Sequence, residues 1–402
     1  MRSSDPRSIT PARGDRHPQI PHLDALLDGL VETGFTAGIA AYAEWKGQPL
    51  YSRMTGLADL ASGRPIAADT VYRIYSMSKV IAAVAGLILY ERGQFRMDDP
   101  LSRFLPAFKN PRVYETSPDG GVHIRPARRE IFVRDLFTMG SGIPWIGTDT
   151  PSERDMMRLF RGQENIVGTL TTVEIAERVA QIPLDFDPGS HWKYGFSMDI
   201  LGALVSTLSG KTFGGFIRDE ICAPLGMPDT GFSLPADQQS RLATTYPARA
   251  DGRIADKPGR GAYPTSPPPY ESGGGGMVST LGDYAAFARM LLTGKAPDGR
   301  SILSGKTLAL LRADHLTPAQ KADYRGGMLG GDSYGLGVAT QVDDSLCDCG
   351  GSVGTFGWSG VAGTWVSVDP AEELFALLMY QRMPGGLEQI VPRFRAALYA
   401  ML

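Results

Sequence analysis

A chain of 402 residues, 43% of them hydrophobic, has enough apolar material for one large globular domain or two interleaved ones. Its formal net charge of −3 comes from acidic and basic residues scattered along the chain, which excludes a nucleic-acid footprint and points to small molecules or peptides as partners. The three cysteines, Cys222, Cys347 and Cys349, make no disulfide framework, and no second Cys or His cluster lies near Cys347 and Cys349, so unpaired thiols and no metal are expected.

Residues 1–22 are polar and proline-bearing, with no apolar core of a secretory signal, so a disordered tail and a cytoplasmic location are expected. Asp24 to Gly34 reads as a short amphipathic helix. AGIAAYAEWKGQPLYSRMTGLADL then reads as two strands joined around Lys46-Gly47, the second ending near Gly56. The apolar run Val80 to Tyr90 is too short to cross a bilayer and reads as a buried helix, so no membrane partner is expected.

From Asp98 to about Leu225 helical spacing dominates, as in TTVEIAERVAQI and MDILGALVSTLSG, with Gly210 as a helix stop. Ala248 to Gly276 is looser and rich in Pro and Gly. It leads into SGGGGMVSTLGDYAAFARMLL, where Thr280 and Asp283 resemble a capping box. VAGTWVSVDPAEELFALLMYQ gives two more strands around Asp369-Pro370, and LEQIVPRFRAALYAML closes the chain as a helix. Strands at both ends and helices between them predict an α+β fold. One antiparallel sheet is flanked by the terminal helices, with residues 23–97 and 271–402 in the sheet part and 98–270 in a mainly helical lobe. The site is expected where the two lobes meet.

The chemistry concentrates in YRIYSMSKVIAAVAGLILYERG. On a helix, residues three apart share a face, so Ser76 and Lys79 pair a nucleophile with a base, and backbone N–H groups of the first turn are free to hold an oxyanion. A lysine at its reference pKa of about 10.4 is neutral only about once in a few thousand at pH 7, and the apolar run behind Lys79 supplies desolvation to tune it. The bland alternative is a serine that caps the helix beside a lysine that snorkels to solvent. Ser190-His-Trp-Lys193 repeats the spacing after Pro188-Gly189, where a turn or strand is expected and the two side chains do not share a face.

Three further stretches extend the pattern: LFTMGSGIPW (136–145), FDPGSHWKYGFSMDILG with Tyr194 before a helix, and GWSGVAGTWVSVDP, which places Trp358-Ser359-Gly360 at the head of a strand. Together they resemble the serine beta-lactamase and penicillin-binding-protein family, in its class C branch that includes the family VIII carboxylesterases. Ser76 and Lys79 match the S-x-x-K motif, Tyr194 the tyrosine that leads the second motif, and Trp358-Ser359-Gly360 the K-T-G position. SGGGGMVST and the helix after it also look like the family VIII esterases.

The resemblance implies a beta-lactamase/transpeptidase-like fold and a small-molecule ester substrate, with no cofactor. Ser76 would attack the carbonyl, Lys79 and Tyr194 would share the proton, and the N–H groups of Ser76 and Val361 would form the oxyanion hole. Trp358, Ser359, Gly360 and Phe196 would contact substrate. The chain departs from the lactamases at two points: Tyr194-Gly195-Phe196 lacks their asparagine, and Trp358 replaces their lysine. A hydrogen bond from that lysine to a carboxylate is worth about 1.5 to 3 kcal/mol, so Trp358 favours a neutral ester over a lactam. Serine carboxylesterase on short-chain esters is therefore the first expectation; class C-like beta-lactamase, D-amino-acid peptidase or acyltransferase of the same fold is the alternative.

Other motifs carry less. Gly350-Gly351-Ser352-Val353-Gly354 spells G-x-S-x-G, but the histidine of an alpha/beta hydrolase must follow its serine, and the last one here is His315. Gly210-Lys211-Thr212 and Gly305-Lys306-Thr307 lack the glycine a phosphate loop needs upstream. His191, beside Trp192 after a turn, reads as a partly exposed structural histidine.

Overall fold

The computed structural model describes residues 20–117, 119–162, 165–324, 329–347 and 349–402. The tail expected over 1–22 thus lies outside the described residues except for its last three. Helix α1 (Pro21–Glu32) starts earlier than expected, with Pro21 in the first turn, where a missing N–H costs nothing.

Eight strands form one antiparallel sheet. The first three are β1 (Gly38–Trp45), β2 (Gln48–Asp59) and the two-residue β3 (Arg64–Pro65). The buried helices α2 (Ser78–Glu91), α3 (Ser197–Ser209) and α4 (Leu281–Thr293) follow. The chain then returns as β4 (Asp332–Tyr334), β5 (Ala339–Gln341), β6 (Phe356–Gly360), β7 (Thr364–Asp369) and β8 (Leu374–Tyr380), and ends in α5 (Val391–Tyr399). The spatial order is β3-β2-β1-β8-β7-β6-β5-β4, so the two distant parts of the chain meet where β1 pairs β8, Ile39 opposite Tyr380 and Trp45 opposite Leu374.

Side chains alternate across that seam with the period of two a strand imposes. Ile39, Ala41, Ala43, Leu374, Ala376 and Leu378 face α1 and α5, meeting Leu23, Leu27, Phe394 and Leu398. Ala40, Tyr42, Phe375, Leu377 and Met379 face the other way, into the larger core with Tyr284, Phe287 and Leu291 of α4. Both faces of the sheet are covered, which is why β8 reads as an unbroken apolar run.

The β1–β2 turn falls at Lys46-Gly47 as expected, both residues with positive φ, the geometry that matches the twist of two strands joined by two residues. Gly210 ends α3 in the left-handed region. Thr280 caps α4 by accepting from the Asp283 N–H at 3.1 Å, while the Asp283 carboxylate accepts from the Asp229 N–H at 2.8 Å and the Thr230 hydroxyl at 3.0 Å.

The lobe between residues 98 and 225 carries a hairpin beside its helices, Arg112–Thr116 paired with Val122–Pro126, and two expectations further along the chain need correction. That hairpin leaves Val122 and Ile124 exposed, so no inward apolar face announces it. Cys347 and Cys349 are not free thiols: their sulfurs are bonded, with the Cα atoms 5.4 Å apart and so within disulfide reach. Trp358-Ser359-Gly360 closes strand β6 rather than heading one, because Gly360 pairs with Thr364 and the chain turns between them.

Among the described residues no single helix is long and apolar enough to cross a membrane; α3 together with Phe213–Leu225 passes on composition only as a pair bent by 76°. Most of α3 is core. Cys222 is the one free cysteine among the described residues, and burial pushes its thiol up to about 12.

Candidate active site

The segment before α2 is fastened on three sides. Val71–Arg73 pairs antiparallel with Val278–Thr280, and the Ile74 N–H continues the ladder by donating to the Met277 carbonyl at 3.1 Å. From α4 the Tyr284 hydroxyl donates to the Met77 carbonyl at 3.0 Å. From β7 the Thr364 hydroxyl donates to the Ile74 carbonyl at 3.1 Å.

The end of β6 closes onto the same carbonyl. A Cβ on Gly360 would lie 2.4 Å from the Ile74 oxygen, so only glycine lets the strand approach here. Tyr75 follows with φ of +44°, a costly conformation for a bulky residue and one found where surrounding structure over-determines the backbone. Ser76 lies in the one 3₁₀ turn, Tyr75–Met77, that runs directly into α2.

The expected trio comes together there. Lys79, fully buried in the first turn of α2, donates from Nζ to Ser76 Oγ at 3.1 Å and also to the Gly274 carbonyl. The Tyr194 hydroxyl donates to the same Ser76 Oγ at 2.7 Å. Lys79 Nζ lies 4.5 Å from the Tyr194 ring centroid and 5.5 Å from that of Trp145, within cation–π range of both rings. One hydroxyl thus has two proton-carrying partners at hydrogen-bond distance, the geometry of an activated nucleophile.

Tyr194 is placed by its own neighbours. The Lys193 N–H donates to the Met139 carbonyl at 3.2 Å, and Ser197 shares a 2.8 Å hydroxyl contact with Ser141, so 136–145 runs beside the tyrosine. Lys193 Nζ points away from the site and pairs with Asp185 and Glu153, each at 2.7 Å. The second Ser-x-x-Lys match is therefore an anchor.

Trp358 is buried and stacked on Tyr194, rings 12° apart at a centroid distance of 6.0 Å, with Tyr334 edge-on at 5.3 Å. Val361, just past Gly360, is 52% exposed in the turn after β6, and its carbonyl accepts from the Gly385 N–H at 2.7 Å. Phe196 is buried among Trp145, Phe160 and Tyr270, so it backs the aromatic wall rather than forming its surface. Other candidates lie elsewhere: the Ser352 N–H donates to the Asp369 carboxylate in a turn, and His191 is half exposed and pairs with Asp323.

Sequence reasoning missed Gly274, whose carbonyl takes a Lys79 hydrogen bond, and Asp199 behind it. Asp199 Oδ1 accepts from the hydroxyls of Tyr270 and Ser272, both at 2.6 Å, and from the Gly274 N–H at 3.3 Å. Burial pushes the Asp199 carboxyl above its ordinary range, against those hydrogen bonds and the Lys79 charge. It pushes the Tyr270 hydroxyl well up as well, the Asp199 charge adding to it. The available signal was the run Gly273 to Gly276, too glycine-rich for an ordinary loop.

Comparison with known proteins decides the family. The Beta-lactamase family profile matches residues 23–400, nearly the whole chain. The chain belongs to the beta-lactamase family. Within that family it is 32% identical over 363 residues to Protein Rv1367c of Mycobacterium tuberculosis, 88% of each chain. It is 31% identical over 389 residues to Esterase EstB of Burkholderia gladioli, covering 91% of this chain and 92% of EstB. The solved structure of EstCE1, described as a hydrolase with promiscuous acyltransferase activity, superposes with a TM-score of 0.76 at 24% identity, covering 94% of this chain and 97% of that one. The fold is that of the beta-lactamase family, an α+β architecture built on a large antiparallel sheet, and the protein is a serine hydrolase of that fold.

Proposed function

We propose that this beta-lactamase-family protein is a cytoplasmic carboxylesterase that cleaves short-chain esters through an acyl-Ser76 intermediate. The observation that carries the proposal is a single hydroxyl, Ser76 Oγ, held between Tyr194 at 2.7 Å and Lys79 at 3.1 Å, with the Trp358 ring lying on Tyr194 where a lactamase keeps a cation.

In the resting arrangement both partners point a donor at Oγ. Loss of one proton from the Lys79–Tyr194 pair reverses one of those bonds, so Ser76 donates and its oxygen gains nucleophilicity. Oγ then attacks the ester carbonyl carbon. The serine proton passes to the pair, and the carbonyl oxygen becomes an oxyanion held by the backbone N–H groups of Ser76 and Val361. When the tetrahedral adduct collapses, the bond to the alkoxy oxygen breaks and the pair returns the proton to the departing alcohol. Water repeats the sequence on the acyl-serine, releasing the acid and restoring Ser76.

Substrate preference follows from the wall around the trio. Trp145, Tyr194 and Trp358 offer ring faces to a neutral acyl or alcohol group, whereas a lactam carboxylate would find no cation at position 358. Lactam hydrolysis is expected only as a weak side activity. The relationship to EstB supports ester cleavage, and the likeness to EstCE1 makes an added alcohol worth testing as second acceptor in place of water.

The test compares initial rates on p-nitrophenyl butyrate and a chromogenic cephalosporin, for the wild type and Ser76→Ala. Fast ester cleavage lost in Ser76→Ala, with little lactam turnover, is the expected result. Dominant lactam turnover would overturn the substrate class, and ester cleavage surviving in Ser76→Ala would overturn the nucleophile.

A further inference from the structure

The proposed mechanism leaves the buried carboxyl of Asp199 unused. Asp199 lies in the first turn of α3, five residues after Tyr194 and only 2% exposed. All its hydrogen bonds converge on Oδ1, while Oδ2 is buried with no hydrogen-bond partner among the described residues. A carboxylate in the core with one oxygen unpaired costs stability and is rarely kept for packing alone.

Its connection to the trio runs through Gly274. The N–H of that residue donates to Asp199, and its carbonyl accepts from Lys79 Nζ. A Cβ on Gly274 would lie 2.4 Å from Asp199 Oδ2, so the carboxylate presses on the bare Cα between the two bonds. Ser272 and Tyr270, on the same segment, also donate to Oδ1 and fix its approach. The charged and titratable groups that act on Asp199 are Lys79 of α2 and Tyr270 of the segment leading into α4.

We infer that Asp199 is a positioning residue for Lys79: it fixes Gly274, whose carbonyl aims the lysine amine at Ser76 Oγ. The inference rests on the acyl-Ser76 reading. It separates from a packing role at Asp199→Asn, which keeps the shape and an acceptor at Oδ1 but turns the charge-assisted bond from the Gly274 N–H into a neutral one about half as strong, so that only the positioning role predicts slower reaction at Ser76.

Burial raises the folded carboxyl above its unfolded value, so the stability linked to its protonation is present in acid and lost as pH rises through the folded pKa. Above that point the ionised Asp199 is a burden. Asp199→Asn should therefore match or exceed the wild-type melting temperature at neutral pH, with the difference closing in acid. A general base is worth about 10² to 10⁴ in rate, and losing its alignment should remove about tenfold to a hundredfold of that.

The readout is the rate at which a fluorophosphonate probe labels Ser76 as pH is varied, alongside the melting temperature. Asp199→Asn is expected to label about tenfold to a hundredfold more slowly, with a displaced pH profile and no loss of melting temperature. Labelling at the wild-type rate with a superimposable profile overturns the positioning role. Should Asp199→Asn not fold, Ser272→Ala decides: slower labelling at unchanged melting temperature supports the role, and the wild-type rate overturns it. A wild-type chain that leaves Ser76 unlabelled overturns the acyl-serine reading and this inference with it, an outcome distinct from a labelled wild type matched by its variant.

Discussion

Ser76–Lys79 and Ser190–Lys193 share a spacing and end in opposite environments. The first pair enters a turn that continues as α2, so its side chains share a face and Nζ reaches Oγ at 3.1 Å. The second follows the turn at Asp187–Ser190, where the Ser190 hydroxyl donates to the Asp187 carbonyl at 2.7 Å and Lys193 reaches instead for Asp185 and Glu153. Lys79 is fully buried, and its direct partners are a carbonyl, a hydroxyl and two ring faces, all neutral. A lysine held by two carboxylates is locked as a cation and serves as a tether. One whose neighbours are neutral and include the Ser76 hydroxyl is set against the nucleophile instead, so the motif acquires its meaning from backbone and neighbours.

The largest effect expected from breaking this contrast is at the serines. Ser76→Ala should lower kcat/KM on p-nitrophenyl butyrate by at least about 10³-fold, as loss of a covalent nucleophile does elsewhere, while Ser190→Ala should leave it within about twofold. Steady-state rates on purified variants of matched melting temperature decide it. Comparable losses in both would mean that the spacing alone says nothing about the site.

The lysines and Tyr194 sharpen the same comparison. Lys79→Met and Tyr194→Phe each remove one of the two proton carriers on Ser76 Oγ and should cost about 10²- to 10⁴-fold in kcat. If the two partners act as one unit, the double variant should cost scarcely more than either single one, a non-additivity that rate measurements on all three would reveal.

Trp358 tests the substrate half of the proposal. Trp358→Lys restores a cation where the lactamases have one and should tighten binding of a carboxylate-bearing cephalosporin by about one to two decades, the value of a hydrogen bond to a charged group. Ester turnover should fall with it, because the ring that packs on Tyr194 is lost. An inhibition constant for the cephalosporin that does not move would show that Trp358 has no part in the choice between ester and lactam.

The parts of this molecule that the sequence made legible are those with local or periodic causes. Lys46-Gly47 names its turn, Leu374–Tyr380 announces a strand buried on both faces, and Ser76, Lys79 and Tyr194 are visible because chemistry needs those types ahead of an apolar helix. What stayed hidden depends on which distant segments meet. The hairpin of Arg112–Thr116 and Val122–Pro126 buries no apolar stripe. The place of Trp358 at the end of β6 is set by the pairing of Gly360 with Thr364. Asp199 looks like any acidic residue near a helix start until Gly274, 75 positions away, comes to lie against it.

Lys193 carries the smallest expected effect. Burial pulls the Glu153 carboxyl up, but the Lys193 ammonium and the amides of Asp149 and Thr150 outweigh it and hold the group below its ordinary range. Desolvation likewise works against the Lys193 ammonium, and the Asp185 and Glu153 carboxylates outweigh it, raising its pKa. Stability from a lowered carboxyl is present above its unfolded pKa and lost as pH falls through the folded value. Lys193→Met should therefore cost stability at neutral pH, with the difference from wild type shrinking below the ordinary carboxylate range. The lysine side chain is 34% exposed, so screening limits the cost to about 1 kcal/mol or less. Denaturant melts at two pH values measure it, and kcat on p-nitrophenyl butyrate should fall only as far as Tyr194 shifts when its neighbour lets go. A Lys193→Met variant as inactive as Lys79→Met would erase the distinction between tether and proton carrier.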